Sequence, residues 1–283
     1  MQPLSEPVRI PEQEGSLIFF NWRQLHMNSN FSYQKIAREL TACIEQEIQP
    51  LVGTQKARHP SISRGGRTTA YIDTVAEEAA ISYLQKKKFP HQLVTEESGS
   101  LGEGDMKVIL DPLDGTNNAL LGIPFYSISV AIWGEKKFGL VKNLVSQETY
   151  EAFSDGNSLK NGTPIRPGCP LSISAGYVGE GYEGILPLSD AWRCYGSLAL
   201  ELCYVAEGKL QSLVDLRGKA RVIDIAGAQI IAEAAGITVT DETGNPPFAE
   251  GFFDTSGNFR GEKIIAAPPA FHQEILDVLC KRH

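Results

Sequence analysis

The sequence predicts a mixed fold, α+β in its first half and α/β in its second, on three observations. A helical apolar stripe occupies Tyr33 to Ile48, short β-type runs crowd the stretch from Leu93 to Ala152, and strand and helix patterns alternate beyond Pro167. With 283 residues, 42% hydrophobic and 21% charged, the chain can bury one large core or two small ones.

Residues 1–30 show no clear period and read as an N-terminal extension. Ile36, Leu40, Cys43, Ile44 and Ile48 then recur at helical spacing between charged residues, and Pro50 ends that helix. The polar stretch Thr54 to Thr69 has the composition of a mobile loop, and a second helix runs from about Asp73 to Lys87. Strands are expected at His91 to Thr95, Val108 to Leu110, Tyr126 to Trp133, Phe138 to Leu144 and Thr149 to Ala152, with Asp155-Gly156-Asn157 and Asn161-Gly162 as turns. The second half reads as strand Ser172 to Val178, helix Ser197 to Glu207, strand Gln211 to Asp215, helix Ile225 to Ala235, strand Ile237 to Thr240 and helix Pro269 to Lys281. The expected domains are an α+β unit over residues 31–165 and an α/β unit over 166–283, with a soft boundary in Pro164 to Pro170.

Lys and Arg number 26 against 34 Asp and Glu, a formal net charge of -8. Binding to DNA or anionic lipid through summed positive field needs the opposite balance, so neither nucleic acid nor membrane is an expected partner. Lys86-Lys87-Lys88 is the only basic run and reads as the solvated end of a helix. The five cysteines are scattered with no Cys-x-x-Cys pair, and no run approaches the ~18 apolar residues of a membrane span, so a cytoplasmic protein with reduced thiols is expected.

The apolar strand Val108-Ile109-Leu110 runs into Asp111-Pro112-Leu113-Asp114-Gly115-Thr116, placing two carboxylates and a glycine turn at its carboxyl end. Ligands bind at such ends. A lone Asp-x-x-Asp is more often a turn cap beside a helix start. Here Glu96-Glu97-Ser98 ends another short strand, and Asp224 follows Val222-Ile223. Asp224 alone could be only an N-cap. Carboxylates gathered at apolar strand ends repel one another unless cations neutralise them, and an oxygen-only set selects Mg²⁺ or Mn²⁺ over zinc. His26, His59, His91, His272 and His283 form no zinc pattern, and neither a P-loop nor a Gly-x-Ser-x-Gly elbow is present. Gly179-Glu180-Gly181-Tyr182-Glu183-Gly184 matches a dinucleotide fingerprint but sets two glutamates against a pyrophosphate, with Pro187 in the expected helix, so it reads as a flexible loop. Asp111, Asp114 and Thr116 miss the Asp-x-Asp-x-Thr spacing of aspartyl-phosphate enzymes by one residue.

Glu96-Glu97-Ser98, Asp111-Pro112-Leu113-Asp114-Gly115-Thr116 and Ile223-Asp224-Ile225-Ala226-Gly227 resemble the three motifs of the inositol monophosphatase family, in the archaeal type that hydrolyses both inositol monophosphate and fructose 1,6-bisphosphate. The resemblance covers Tyr33 to the C-terminus and implies the sugar-phosphatase fold, a layered α/β/α/β/α sandwich, and a homodimer. It further implies a first Mg²⁺ on Glu96, Asp111 and the Leu113 carbonyl, a second on Asp111, Asp114 and Asp224, and a weaker third reached by Glu96. Thr116, bonded to Asp73, would help Glu96 deprotonate the attacking water. The phosphate would lie on the Gly115 and Thr116 amides, and the sugar or a second phosphate would meet Asp114, Arg193, Leu198 and Arg217. Departures are modest: Leu113 for the commoner Ile, Ile223 for a frequent Trp, and Asn117-Asn118 where aromatic residues are common.

The implied reaction is direct in-line attack of water on phosphorus with divalent cations assisting and no phosphoenzyme. The two arginines suit a bisphosphate, so the C1 phosphate of fructose 1,6-bisphosphate comes first and inositol 1-phosphate second. A 3'-phosphoadenosine 5'-phosphate phosphatase, and a catalytically silent regulator binding metal or sugar phosphate, are the alternatives.

Overall fold

The computed structural model describes residues 29–88, 91–165, 168 and 171–281. The expected extension lies outside them apart from its last two residues, which begin helix α1 (Ser29–Ile48). The other helices are α2 (Tyr71–Lys87), α3 (Thr116–Leu121), α4 (Tyr182–Ile185), α5 (Leu198–Glu207), α6 (Val222–Ala234) and α7 (Pro269–Cys280).

An eight-stranded sheet spans the first half. Its order is Thr163–Pro164, Leu159–Lys160, Thr149–Phe153, Lys137–Asn143, Ser127–Trp133, Lys107–Asp114, Gln92–Thr95, Gly99–Leu101. Only Gln92–Thr95 and Lys107–Asp114 pair in parallel; every other neighbour is antiparallel. A five-stranded sheet in the second half runs Ala191–Arg193, Ile173–Tyr177, Leu213–Ala220, Glu262–Ala267, Thr238–Thr240, with its first three strands parallel.

The alternation of buried residues along each strand sets the layers. Val108 and Leu110 face a core shared with Leu40, Ile44, Ile72 and Leu84 of α1 and α2. Ile109 between them faces a second core, shared with Leu202 of α5, Ile231 of α6 and Leu213 of the second sheet. Val214 points the other way, to Ile275 of α7. Period two therefore buries both faces of both sheets, which requires five layers: α1 and α2, the eight-stranded sheet, α5 and α6, the five-stranded sheet, and α7. The middle core joins residues from both sheets, so the two halves pack against each other through it.

Helix α6 sits close on the first sheet because glycines meet there. A Cβ at Gly227 would lie 2.7 Å from the Val130 carbonyl oxygen, and one at Gly139 would overlap the Gly227 carbonyl. That approach brings the first turn of α6, with Asp224, to the end of the Lys107–Asp114 strand.

Several elements differ from the sequence reading. The polar stretch before α2 holds an antiparallel pair, Pro60–Ile62 with Thr68–Ala70. The stretch at 179–184 runs into α4 at Tyr182, which is buried, and a Cβ at Gly179 would collide with the Leu216 carbonyl. Glu262–Ala267, unassigned from sequence, is an interior strand of the second sheet. Among the described residues no helix is long and apolar enough to cross a membrane, and the described cysteines are free.

Candidate active site

The carboxyl end of Lys107–Asp114 opens into a cavity of about 470 Å³. Glu96, Asp111, Asp114 and Asp224 all line it, with Leu113, Gly115, Thr116, Leu198 and Arg217. Residues from four separated stretches thus share one site. Asp73 stands behind it, and Arg193 is not among the lining residues: it is exposed at the end of an edge strand and donates to the Trp192 carbonyl.

The Asp111–Thr116 turn is shaped by its own backbone. Asp111 pairs with Ser129 and Asp114 with Ser127, and the register against Ser127–Trp133 shifts between them, so the strand bulges at Pro112-Leu113 with one acid on each side. The Leu113 amide donates to Asp111 Oδ1 at 3.0 Å. Gly115 then adopts φ +91°, and a Cβ there would lie 3.1 Å from two carbonyl oxygens, of Gly196 and Phe125. Both the dihedral and the crowding require glycine.

Asp114 is tied to the second half of the chain. Its Oδ2 accepts Ser197 Oγ at 2.6 Å and the Ala199 amide at 2.8 Å, both at the start of α5. Glu96 is placed from the other side by Glu77, a buried residue of α2 whose carboxylate accepts the Glu97 and Ser98 amides and the Ser98 hydroxyl. Asp224 is the third residue of α6, not its cap; its Oδ2 accepts the amide of the cap residue Arg221 at 2.7 Å while the side chain also faces the cavity.

Thr116 links this turn to α2. Its hydroxyl lies 2.9 Å from Asp73 Oδ1 and 3.0 Å from the Leu113 carbonyl, and has one proton for the two acceptors. Thr69 donates to the other Asp73 oxygen at 3.1 Å. Burial, only partly offset by the Thr116 hydrogen bond, pushes Asp73 up to about 6.

The electrostatics are those of an acid cluster short of positive charge. Burial first, and then Glu96, Asp114 and Asp224, hold Asp111 well above the usual carboxylate range. Burial raises Asp114 to about 7 despite its bond from Ser197. Glu96 is raised by burial against the pull of Arg221. The guanidinium of Arg221 bridges the cluster, donating to Glu96 Oε1 at 2.6 Å and Asp224 Oδ1 at 2.7 Å. Among the described residues no three His, Cys, Asp or Glu side chains already surround one point closely enough to hold a metal ion. The donor chemistry nevertheless fits a hard divalent cation. Four carboxylates line one cavity with Leu113, and of the cations on its wall only Arg221 is paired with them. A cation bound by both Glu96 and Asp224 would compete with Arg221 for the same carboxylates.

Sequence reasoning passed over Arg221, Lys219, Tyr177 and Glu201. Arg221 and Lys219 line the cavity on the run that follows Arg217, and Tyr177 lines it from the neighbouring strand. Arg217 lies 4.0 Å over the Tyr177 ring and is forked onto Asp215, which is wholly buried, at 2.9 and 2.6 Å. Glu201 Oε1 accepts the Tyr177 hydroxyl and the Tyr195 and Gly196 amides, fixing the wall opposite Gly115. A glutamate inside the apolar run of α5 was the available signal for Glu201.

The profile of the inositol monophosphatase family matches residues 29–282. The chain is 34% identical to the fructose-1,6-bisphosphatase/inositol-1-monophosphatase of Archaeoglobus fulgidus over 87% of its own length and 97% of the relative's. It is 31% identical to the protein of the same name from Methanothermobacter thermautotrophicus, over 88% and 97%. A crystal structure of an inositol monophosphatase-fructose 1,6 bisphosphatase superposes with a TM-score of 0.75 at 28% identity, covering 87% of this chain and 99% of that one.

Proposed function

The chain belongs to the inositol monophosphatase family and is a phosphoric monoester hydrolase, and on that premise we propose that it releases the C1 phosphate of fructose 1,6-bisphosphate and the phosphate of inositol 1-phosphate, with two or three Mg²⁺ ions per site. The relatives named for both activities support the pair of substrates. The observation that carries the metal dependence is the convergence of Glu96, Asp111, Asp114 and Asp224, with Asp111 only 2% exposed, on one cavity. A homodimer is part of the same proposal.

Bound divalent cations, Mg²⁺ or in its place Mn²⁺, supply Lewis-acid activation of water and neutralise charge on the phosphoryl and leaving oxygens. They would be held by Glu96, Asp111, Asp114, Asp224 and the Leu113 carbonyl. The chain's own residues do the rest. Glu96 takes a proton from the attacking water. Asp73 Oδ1 accepts the Thr116 hydroxyl proton, which leaves the lone pairs of Thr116 Oγ1 to orient that water. The amides of Gly115 and Thr116 hold the reacting phosphate, and the left-handed Gly115 keeps side-chain atoms away from it. Asp114, Leu198 and Arg217 contact the sugar or its second phosphate from the cavity wall, and Arg193, exposed outside that wall, would reach only a group that projects from it. Arg217 is the better prepared of the two arginines, because Asp215 and Tyr177 fix its plane.

Phosphate release from fructose 1,6-bisphosphate, inositol 1-phosphate and 3'-phosphoadenosine 5'-phosphate, each with Mg²⁺ and with chelator, tests the reading. Release from the first two that stops in chelator is the expected result. Release unaffected by chelator, or confined to the third compound, contradicts it.

A further inference from the structure

We infer that Lys219 recognises a second anionic group on the substrate, a phosphate other than the one that is cleaved; the inference rests on the hydrolase reading above. The strand Leu213–Ala220 is bulged where it reaches the cavity. Its register against Glu262–Ala267 shifts between Asp215 and Ala220, and Gly218 takes φ +65°. Bulges of this kind re-aim side chains beside active sites. Here Arg217, Lys219 and Arg221, alternate residues along the chain, all line the one cavity.

Two of these three cations are already committed. Arg217 gives the Nε and Nη2 edge of its guanidinium to buried Asp215. Arg221 is held by Glu96 and Asp224. Lys219 is exposed, and among the described residues its ammonium has no ion pair and no hydrogen bond. A buried acid that neutralises an arginine also weakens its attraction for an incoming anion. The lysine carries the uncompensated charge of this wall.

Position separates its role from that of the acid cluster. The reacting phosphate belongs beside Asp111, Gly115 and Thr116, at the end of the first sheet. Lys219 belongs to the second sheet and is exposed to solvent, where a group projecting from the far end of a sugar would arrive. A long flexible stem ending in a compact point charge with three donors suits a phosphate whose position varies from one sugar to another. A substrate with one phosphate gains nothing from it, so Lys219 discriminates between bisphosphate and monophosphate.

The test compares Lys219→Gln and Lys219→Arg with the parent protein, using fructose 1,6-bisphosphate and inositol 1-phosphate. An exposed side chain without partners can be replaced with little effect on folding. A charged hydrogen bond lost from the substrate corresponds to a KM increase of about tenfold. Lys219→Gln is expected to show that increase for the bisphosphate, with kcat within about twofold and KM for inositol 1-phosphate unchanged. Lys219→Arg is expected to restore most of the loss. An equal effect on both substrates, or none on the bisphosphate, overturns the inference. If the parent protein releases phosphate from neither compound, the hydrolase reading fails by itself. Calorimetric binding of the two compounds to parent and Lys219→Gln proteins then decides: an unchanged bisphosphate affinity, or no measurable binding, overturns the role of Lys219.

Discussion

Replacing Arg221 by Gln should expose the charge problem that this site is built around. The substitution keeps an amide but removes the positive charge that bridges Glu96 at 2.6 Å and Asp224 at 2.7 Å. Removing one partner of a fully buried pair costs about 3–5 kcal/mol. Here the Arg221 and Glu96 side chains are each 28% exposed and Asp224 is 9% exposed. Solvent screening therefore lowers the expectation to about 2–3 kcal/mol. For a chain of this size that corresponds to a fall in Tm of about 5–10 °C in chelator. A bound divalent cation replaces the missing charge and needs no guanidinium to be displaced. Added Mg²⁺ should accordingly stabilise Arg221→Gln more than the parent protein. Scanning calorimetry of both proteins, in chelator and in excess Mg²⁺, measures the two differences. Equal stabilisation by Mg²⁺, or a metal-free variant as stable as the parent, would refute the reasoning.

Burial raises Glu201 to about 8, well above its ordinary value. A carboxyl raised on folding stabilises below its unfolded pKa, and that contribution is lost as pH rises through about 8. The stability of the parent relative to Glu201→Gln should therefore fall by a few kcal/mol between about pH 5 and about pH 9 in urea denaturation; a constant difference would contradict the assignment. Gly115→Ala places a Cβ at φ +91° and within 3.1 Å of two carbonyl oxygens, so a loss of about 2 kcal/mol in urea unfolding and at least tenfold in kcat/KM is expected. Thr116→Val removes the hydroxyl bonded to Asp73 and should lower kcat about a hundredfold with KM little changed, while Thr116→Ser retains most of the rate. Parallel losses in kcat and folding stability would instead assign Thr116 a structural role.

Three acids of the site were legible because they follow short runs of strand or apolar residues: Leu93-Val94-Thr95 before Glu96, Val108-Ile109-Leu110 before Asp111, Val222-Ile223 before Asp224. Position at a strand or helix end is a local property, and the resemblance to a known motif set supplied the rest. Glu77 and Arg221 were not legible, since their roles depend on which distant segments face them. Glu77 lies on a helix whose polar residues mark no separate face, and only the fold brings it under the Glu97 and Ser98 amides. Lys219 carries no signal in the sequence, and only the pairing of Arg217 and Arg221 sets it apart. The five layers follow from period two in the strands, as Val108, Ile109 and Leu110 show by facing alternate cores. Short elements such as Ala191–Arg193 escaped because three residues carry no period, and they hold together by pairing with Ile173–Tyr177.

The central claim is that Glu96, Asp111, Asp114 and Asp224 act together as ligands of divalent cations. Electron paramagnetic resonance of Mn²⁺ titrated into the parent protein, Asp111→Asn and Asp224→Asn reads that claim without any turnover. The parent should take up more than one Mn²⁺ per chain, and each variant should lose at least tenfold in affinity while keeping its far-UV circular dichroism. Identical Mn²⁺ binding by all three proteins would contradict the account.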